Sequence, residues 1–232
     1  LKSYLTSQNG AWLPQLTNKM KDFDIVHLHF PFYVSAHYVW RALKKNKQKY
    51  VITYHMDAQV SGWQKIVQNL YDKIYAKKIF DSAKRIITLD KDHLQFAKFN
   101  SFVNNDIVVE IFNGVDTQVF RPLPEVEKRK KTILFVGNLL GFKRFDLLLK
   151  AVHKMFDKTV VIKVVGGGYE IDKHKELAGR LGMLSRVLFT GFCKNRQELA
   201  KHYNKASCLA VTSDSGESFS LTAIEAMSCG CP

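Results

Sequence analysis

Hydrophobic positions along the chain fall into two alternating kinds of stretch. Short β-branched and aromatic runs recur at Phe23–His29, Tyr50–His55, Arg85–Leu89, Ile107–Phe112, Thr132–Gly137, Val160–Gly166, Arg186–Gly191 and Cys208–Ser213. They are apolar along nearly their whole length, as strands covered on both faces are. Between them lie stretches long enough for a helix and free of internal proline: Phe32–Leu43, Trp63–Phe80, Phe142–Phe156, Tyr169–Leu181 and Arg196–Lys205. In Phe142–Phe156, Phe145, Leu148, Leu149 and Val152 recur at helical spacing and mark a core-facing stripe. Such alternation predicts parallel sheets built from βαβ units. Arg121-Pro122-Leu123-Pro124 and the charged run Glu125–Lys131 interrupt it and read as a linker. The expected fold class is therefore α/β, with two doubly wound parallel-sheet lobes, residues 1–121 and 122–232. Each lobe offers only four strands, there is no initiator Met, and the chain stops at Cys231-Pro232, so both lobes are expected to be incomplete.

Composition narrows the class. The 232 residues are 46% apolar and 24% charged, ordinary for a globular protein with a proper core. No apolar run approaches the roughly 18 residues of a membrane helix, and Leu1–Gly10 lacks the basic and apolar segments of a secretory signal. Cys193, Cys208, Cys229 and Cys231 have neither zinc-site nor CxxC spacing, so reduced thiols in a cytoplasmic protein are expected. The net charge of +14, with clusters at Lys44–Lys49, Lys77-Lys78 and Lys128–Lys131, favours a polyanionic partner. Any single charge run is usually a solvated face or loop, and it is the overall excess that points to such a partner. The chain lacks an RNP, helix-turn-helix or aromatic-platform pattern, so nucleic acid is not the expected partner.

Ligands of open parallel sheets bind beyond the carboxyl ends of the strands, and here those ends collect glycines, histidines and acids. His27 and His29 share a face of the first strand, and His55-Met56-Asp57 follows the second. These histidines lack a fourth ligand and an acidic neighbour cluster, which argues against a metal. Gly166-Gly167-Gly168 admits a phosphate or ribose to the backbone, but it is not GxGxxG, and no acid follows at a later strand end. Gly137-Asn138-Leu139-Leu140-Gly141-Phe142-Lys143-Arg144 joins a glycine-bearing loop to two cations at a helix start, suited to a diphosphate, without P-loop spacing. Glu217 and Glu225 stand eight apart across a strand-to-helix junction, with Glu225 expected two turns into the helix. Two such carboxylates suit a polyhydroxylated ligand, and the free amides of Phe219, Ser220 and Leu221 would face it.

These segments resemble the motifs of family 4 glycosyltransferases. Glu217–Pro232 (ESFSLTAIEAMSCGCP) is similar to ExFGLxxxEAMAxGxPV, and Ile111–Pro122 (IFNGVDTQVFRP) to yNGVDxxxFxP. Ile133–Ala151 resembles ilfvGRLxxxKGxdlLixA; Val164–Gly168 and Val187–Phe192 resemble vvGxG and vxFxG. Phe23–His29 and Ile52–Asp57 resemble fDivHxH and xTxHD. The resemblances run in family order over nearly the whole chain.

The resemblance implies the two-lobed GT-B fold and retaining transfer of a sugar from a nucleotide-diphospho donor to an acceptor hydroxyl. Glu217 would bind hydroxyls of the donor sugar and Glu225 the ribose. Amides at Phe219, Ser220 and Leu221 would meet the sugar and phosphates, and Lys143, beside Gly137 and Gly166, would neutralise the diphosphate. His55 would contact the sugar near the reacting carbon, and Gly191 and Phe192 would flank the base. The chain departs from the pattern at Asn138, where the family has Arg, at Arg144, where it has Gly, at Ser220 within FGL, and at Met56 between His and Asp. Those departures carry the alternative of a catalytically impaired sugar-nucleotide-binding protein. No acidic DxD metal site is apparent, and the basic loop can do a metal's work, so no metal or other cofactor is expected. The expected acceptor is a sugar or a lipid-linked molecule of the cell envelope, with the positive excess serving contact with the anionic inner face of a membrane.

Overall fold

The computed structural model describes residues 5–7, 10–58, 62–95, 97–214 and 219–232. The chain forms two compact units, Leu1–Phe112 and Asn113–Pro232.

In the first unit β1 (Leu5–Ser7) and β2 (Gly10–Trp12) form an antiparallel pair, followed by the single turn α1 (Leu16–Lys19). Then come β3 (Ile25–Phe30), α2 (Ala36–Lys45), β4 (Lys49–Tyr54), α3 (Gly62–Tyr71), α4 (Lys77–Asp81), β5 (Arg85–Thr88), α5 (Lys91–Gln95) and β6 (Val108–Glu110). The sheet is parallel in the order β3-β4-β5-β6. Ala36, Val39, Trp40 and Leu43 repeat at i, i+3, i+4, i+7 and turn one face of α2 onto the core. A π turn at Asp72–Ala76 joins α3 to α4 without a break. Below them Phe30 meets Phe80 and Phe99 edge-on, with ring centroids 5.0 and 5.3 Å apart.

The second unit contains β7 (Thr132–Val136), α6 (Phe145–Lys154), β8 (Val161–Val165), α7 (Ile171–Arg180), β9 (Val187–Phe189), α8 (Arg196–Lys205), β10 (Cys208–Leu209) and α9 (Leu221–Ser228). Its parallel order, β10-β7-β8-β9, follows from crossovers on both sides. Successive residues of a strand face opposite sides. Accordingly Phe135 and Val164 join the core under α6 and α7, and Leu134 and Val165 the core under α8 and α9. This two-sided burial is why the strands carry nearly continuous apolar runs.

All eight runs marked by the hydrophobic pattern are strands; the β1–β2 pair is an addition. The stretch from Asn113 to Arg121, which the sequence places in the first lobe, packs with the second unit. Phe120 is fully buried there, with its ring 6.0 Å from that of Tyr203. The Asn204 side chain accepts from the Leu123 amide at 2.8 Å and donates to the Arg121 carbonyl at 3.0 Å. The two prolines therefore follow the boundary instead of forming it.

Candidate functional site

The turns after β7, β8 and β9 form one backbone layer at the carboxyl edge of the second sheet. Gly137 donates its amide to Val165 (3.0 Å), Leu139 to Gly167 (2.6 Å) and Gly166 to Gly191 (2.8 Å). Gly166 has φ of +142°, and a Cβ there would lie 2.0 Å from the Gly137 carbonyl oxygen. Only a residue without a side chain permits this approach. Asn138 is exposed next to this layer, and Phe192 projects from it, 73% exposed.

The chain next makes a 3-10 turn at Gly141–Lys143, and Arg144 enters α6 in the left-handed region, φ 47° and ψ 42°. That backbone accounts for the glycine of the similar motif, since a side chain there costs about 1 kcal/mol. Arg144 carries the cost with its guanidinium bound to Asp146 (3.1 Å) and Asp214 (2.9 Å). Burial raises Asp146, but hydrogen bonds from Arg144 and Lys150 outweigh it and hold the carboxyl at about 2. The turn is also fastened through its backbone: Thr212 donates its hydroxyl to the Lys143 carbonyl (2.7 Å) and Asp214 its amide to the Phe142 carbonyl (3.1 Å). Lys143 is half-buried, its ammonium 5.4 Å from the centre of the Phe142 ring.

Phe219 and Ser220 lead into α9. Ser220 makes no capping bond to the helix; its hydroxyl lies 3.2 Å from that of Thr222. The first amides of a helix have no acceptor within it and sit at the positive end of its dipole, a ready anion site. Leu221 is half exposed at this end. Glu225 lies about one turn inside α9, not two, because Phe219 and Ser220 precede the helix. Its Oε2 accepts from the Tyr203 hydroxyl at 2.8 Å. Burial pushes this carboxyl up, against the pull of Tyr203 and Arg196. Glu217 lies outside the described residues.

In the first unit the strand-end histidines stack. His27 and His29 have ring centroids 4.4 Å apart, and His29 and His55 5.0 Å apart. His29 Nδ1 is 2.8 Å from His55 Nε2, so one of the two carries the proton between them. His27 Nε2 is 2.6 Å from the Thr53 hydroxyl. Burial first, then the neighbouring imidazoles, hold His55 and His27 below the ordinary histidine value. Below about pH 6.5 the unfolded chain therefore binds more protons than the folded one, and stability falls as pH drops through that window. The thermal midpoint is expected to decline less steeply with acidification in His55→Gln than in the native sequence, as read from melting curves across a pH series. Among the described residues no group of three His, Cys, Asp or Glu side chains is placed to hold a metal.

The second unit thus gathers Gly137, Asn138, Lys143, Arg144, Gly166, Gly191 and Phe192 at one sheet edge, with Phe219, Ser220, Leu221 and Glu225 at the head of α9. His55 belongs to the first unit. Tyr203, Thr212 and Asp146 are contributors that the sequence reading did not select. Tyr203 is 22 positions from its partner on another helix, a pairing no local spacing reveals.

Residues 116–232 match the family model described as Glycosyl transferases group 1, and residues 3–119 match Glycosyltransferase Family 4. The chain belongs to glycosyltransferase family 4. Among curated relatives of this family 4 chain, the D-inositol 3-phosphate glycosyltransferase of Streptomyces bingchenggensis is 29% identical, covering 96% of this chain and 53% of its own length. The enzyme of the same name from Mycobacterium sp. strain JLS is 28% identical, covering 96% and 53%. The chain spans about half the length of these relatives. Among solved structures, Anabaena HepE in complex with UDP-glucose superposes with a TM-score of 0.77 at 17% identity, covering 94% of this chain and 61% of that one. Sucrose-phosphate synthase from Thermosynechococcus elongatus gives 0.75 at 23%, covering 95% and 59%. At these identities the likeness shows the fold: two Rossmann-like lobes of the GT-B class. No helix among the described residues is long and apolar enough to cross a membrane.

Proposed function

We propose that the full-length protein transfers a sugar, with retention of configuration, from a nucleotide-diphospho donor to an acceptor hydroxyl. The observation that carries this reading is the carboxyl edge of the second sheet. There a glycine layer open to close approach adjoins a basic turn anchored through its backbone. The helix-start amides and half-buried carboxylate of α9 belong to the same unit. Amides and a cation suit a pyrophosphate, and a carboxylate accepts ribose hydroxyls. The reading is supported by relatives named as glycosyltransferases and by a structural neighbour in complex with UDP-glucose.

In this reading the anomeric bond loosens, negative charge grows on the departing diphosphate, and the acceptor attacks from the same face. Lys143 and the α9 amides stabilise that charge without a metal or other cofactor. Glu217 holds the donor sugar, Glu225 the ribose, and Gly191 and Phe192 the base. His55 contacts the sugar beside the reacting carbon. The acceptor is a sugar or a lipid-linked molecule of the cell envelope, met in the cytoplasm.

The test is a screen of the complete protein against a panel of nucleotide-sugars that includes UDP-glucose, with the anomeric configuration of the product read by NMR. An inverted product ends the retaining reading, and no turnover with any donor ends the transfer reading. A second reading, a donor-binding protein with impaired chemistry, draws on Asn138 and on Arg144, whose charge is already matched by two carboxylates. It predicts donor binding without transfer. Under either reading Tyr203→Phe frees Glu225 from its hydrogen bond and weakens donor binding roughly three- to tenfold, measurable by calorimetric titration.

A further inference from the structure

Residues 55–58, which follow β4, belong to no helix or strand, so the loop that carries His55 is held by other bonds. The His55 amide donates to the Phe30 carbonyl at 3.0 Å. Two positions on, the Asp57 carboxylate turns back into the first unit. Its Oδ1 accepts from the Tyr54 hydroxyl at 2.6 Å and its Oδ2 from the Lys98 amide at 3.0 Å. Both donors are themselves fixed. Tyr54 is 1% exposed in the core. The Lys98 ammonium donates to Asp72 Oδ2 at 2.5 Å and to Asn69 Oδ1 at 2.8 Å. Gln68, one helical turn before Asp72, donates to the Tyr33 hydroxyl at 2.8 Å. Burial first, then the charge of Asp72, holds that hydroxyl well above its ordinary value.

Stability does not account for the Asp72–Lys98 pair. Asp72 is 4% exposed, and burial raises its carboxyl in spite of the neighbouring ammonium. A buried ion pair adds little over an apolar pair of the same volume, whereas one partner left alone is strongly destabilising. What the pair supplies is fixed geometry. Asp72 opens the π turn, a form of helix that recurs at functional sites. Side chains from β4, from this helix and from the segment 97–99 converge on a single loop, and that loop presents His55.

We propose that Asp72 and Lys98 are positioning residues for His55. Their ion pair fixes the segment 97–99, whose Lys98 amide joins the Tyr54 hydroxyl in holding Asp57 and, through it, the loop that aims the imidazole. This rests on the transfer reading, in which His55 contacts the donor sugar, and the test reads the loop and the reaction separately. In the full-length protein, Asp72→Asn/Lys98→Met takes both charges out together, so no buried charge is left unpaired and the thermal midpoint is expected to stay close to native. Its kcat is expected to fall roughly tenfold with the donor KM little changed. Tyr54→Phe, which removes one oxygen from the same attachment, is expected to show the same split, and it carries the test if the double variant fails to fold. Lys98→Arg keeps a cation at Asp72 and is expected to recover most of the lost kcat. Lys77→Met, which breaks an exposed pair with Asp81 on the same helix, is expected to behave as native. The second readout needs no donor. With isotope-labelled histidine, the ring-nitrogen NMR signals of His55 are expected to move in the double variant and in Tyr54→Phe, and to stay in place in Lys77→Met. The proposal is overturned by His55 signals that match the native ones in both variants, or by a kcat loss no larger than the unfolded fraction. A raised KM at unchanged kcat would overturn it too, by assigning the pair to donor binding alone. A native protein that turns over no donor would end the transfer reading, and the His55 signals would still decide whether the pair fixes the imidazole.

Discussion

Lys143→Ala in the full-length protein is expected to lower kcat by roughly 100-fold, the magnitude seen when one preorganised donor is removed from a developing anion. The turn that presents Lys143 is held by main-chain groups, through Thr212 on its carbonyl and Asp214 on that of Phe142, so truncating the side chain leaves the turn in place. The loss should appear mainly in kcat, with KM changed little, because the diphosphate gains its extra charge only as the glycosidic bond breaks. Arg144→Gln supplies the contrast. Its guanidinium is occupied by Asp146 and Asp214, and it is expected to cost less than about tenfold through looser positioning of the turn. Steady-state kinetics on both variants checks the pair. Unchanged turnover in Lys143→Ala, or equal losses in the two, would remove Lys143 from its role at the leaving group.

Gly166→Ala is expected to destabilise the protein by about 3 kcal/mol or more. The new Cβ would stand 2.0 Å from the Gly137 carbonyl oxygen and 2.8 Å from its carbon, at a backbone φ of +142°. Neither wall yields easily. Gly137 is tied to Val165 by its own amide, and Val136 is paired with Val165 in the ladder. Gly167→Ala, one position on, places its Cβ where nothing lies within 4 Å. It is expected to shift stability by less than about 0.5 kcal/mol. Thermal unfolding of the two variants side by side separates a crowded layer from a general intolerance of side chains in this loop. The first should melt roughly 6 °C or more below the native protein.

The contrast between these glycines shows which features the chain declares locally. The strands were readable because parallel strands buried on both faces carry nearly continuous apolar runs, as Ile133–Val136 and, apart from Lys163, Val161–Val165 do. The α6 stripe was readable because four core residues recur at helical spacing. The β1–β2 pair was not, since strands of three residues are too short to show a period. At the sheet edge the motif glycines were legible as a group, but their mutual contact was not. It depends on three strands being brought into register from distant parts of the chain. The same holds for Arg144, whose partner Asp214 is 70 positions away, and for Glu225 with Tyr203. The depth of Glu225 in its helix was misjudged because no residue type marks the step from Ser220 into Leu221. The boundary between the units was misplaced because proline signals a chain that leaves regular structure, whereas the boundary follows the core that Phe120 enters.

The π turn at Asp72–Ala76 governs more than five residues. A π turn holds one residue beyond the α-helical count, and each residue of an α-helix turns it by about 100°. Deleting a single position there would restore the α-helical count and let the helix run straight through from Gly62 to Asp81. Because the extra residue is held within the turn itself, the two halves would keep nearly the same heading, α4 pinned by Ile79 and Phe80 and Trp63 facing as it does now. A residue lost elsewhere along the same helix, with no such turn to take it up, would instead rotate α3 against α4 by about 100°.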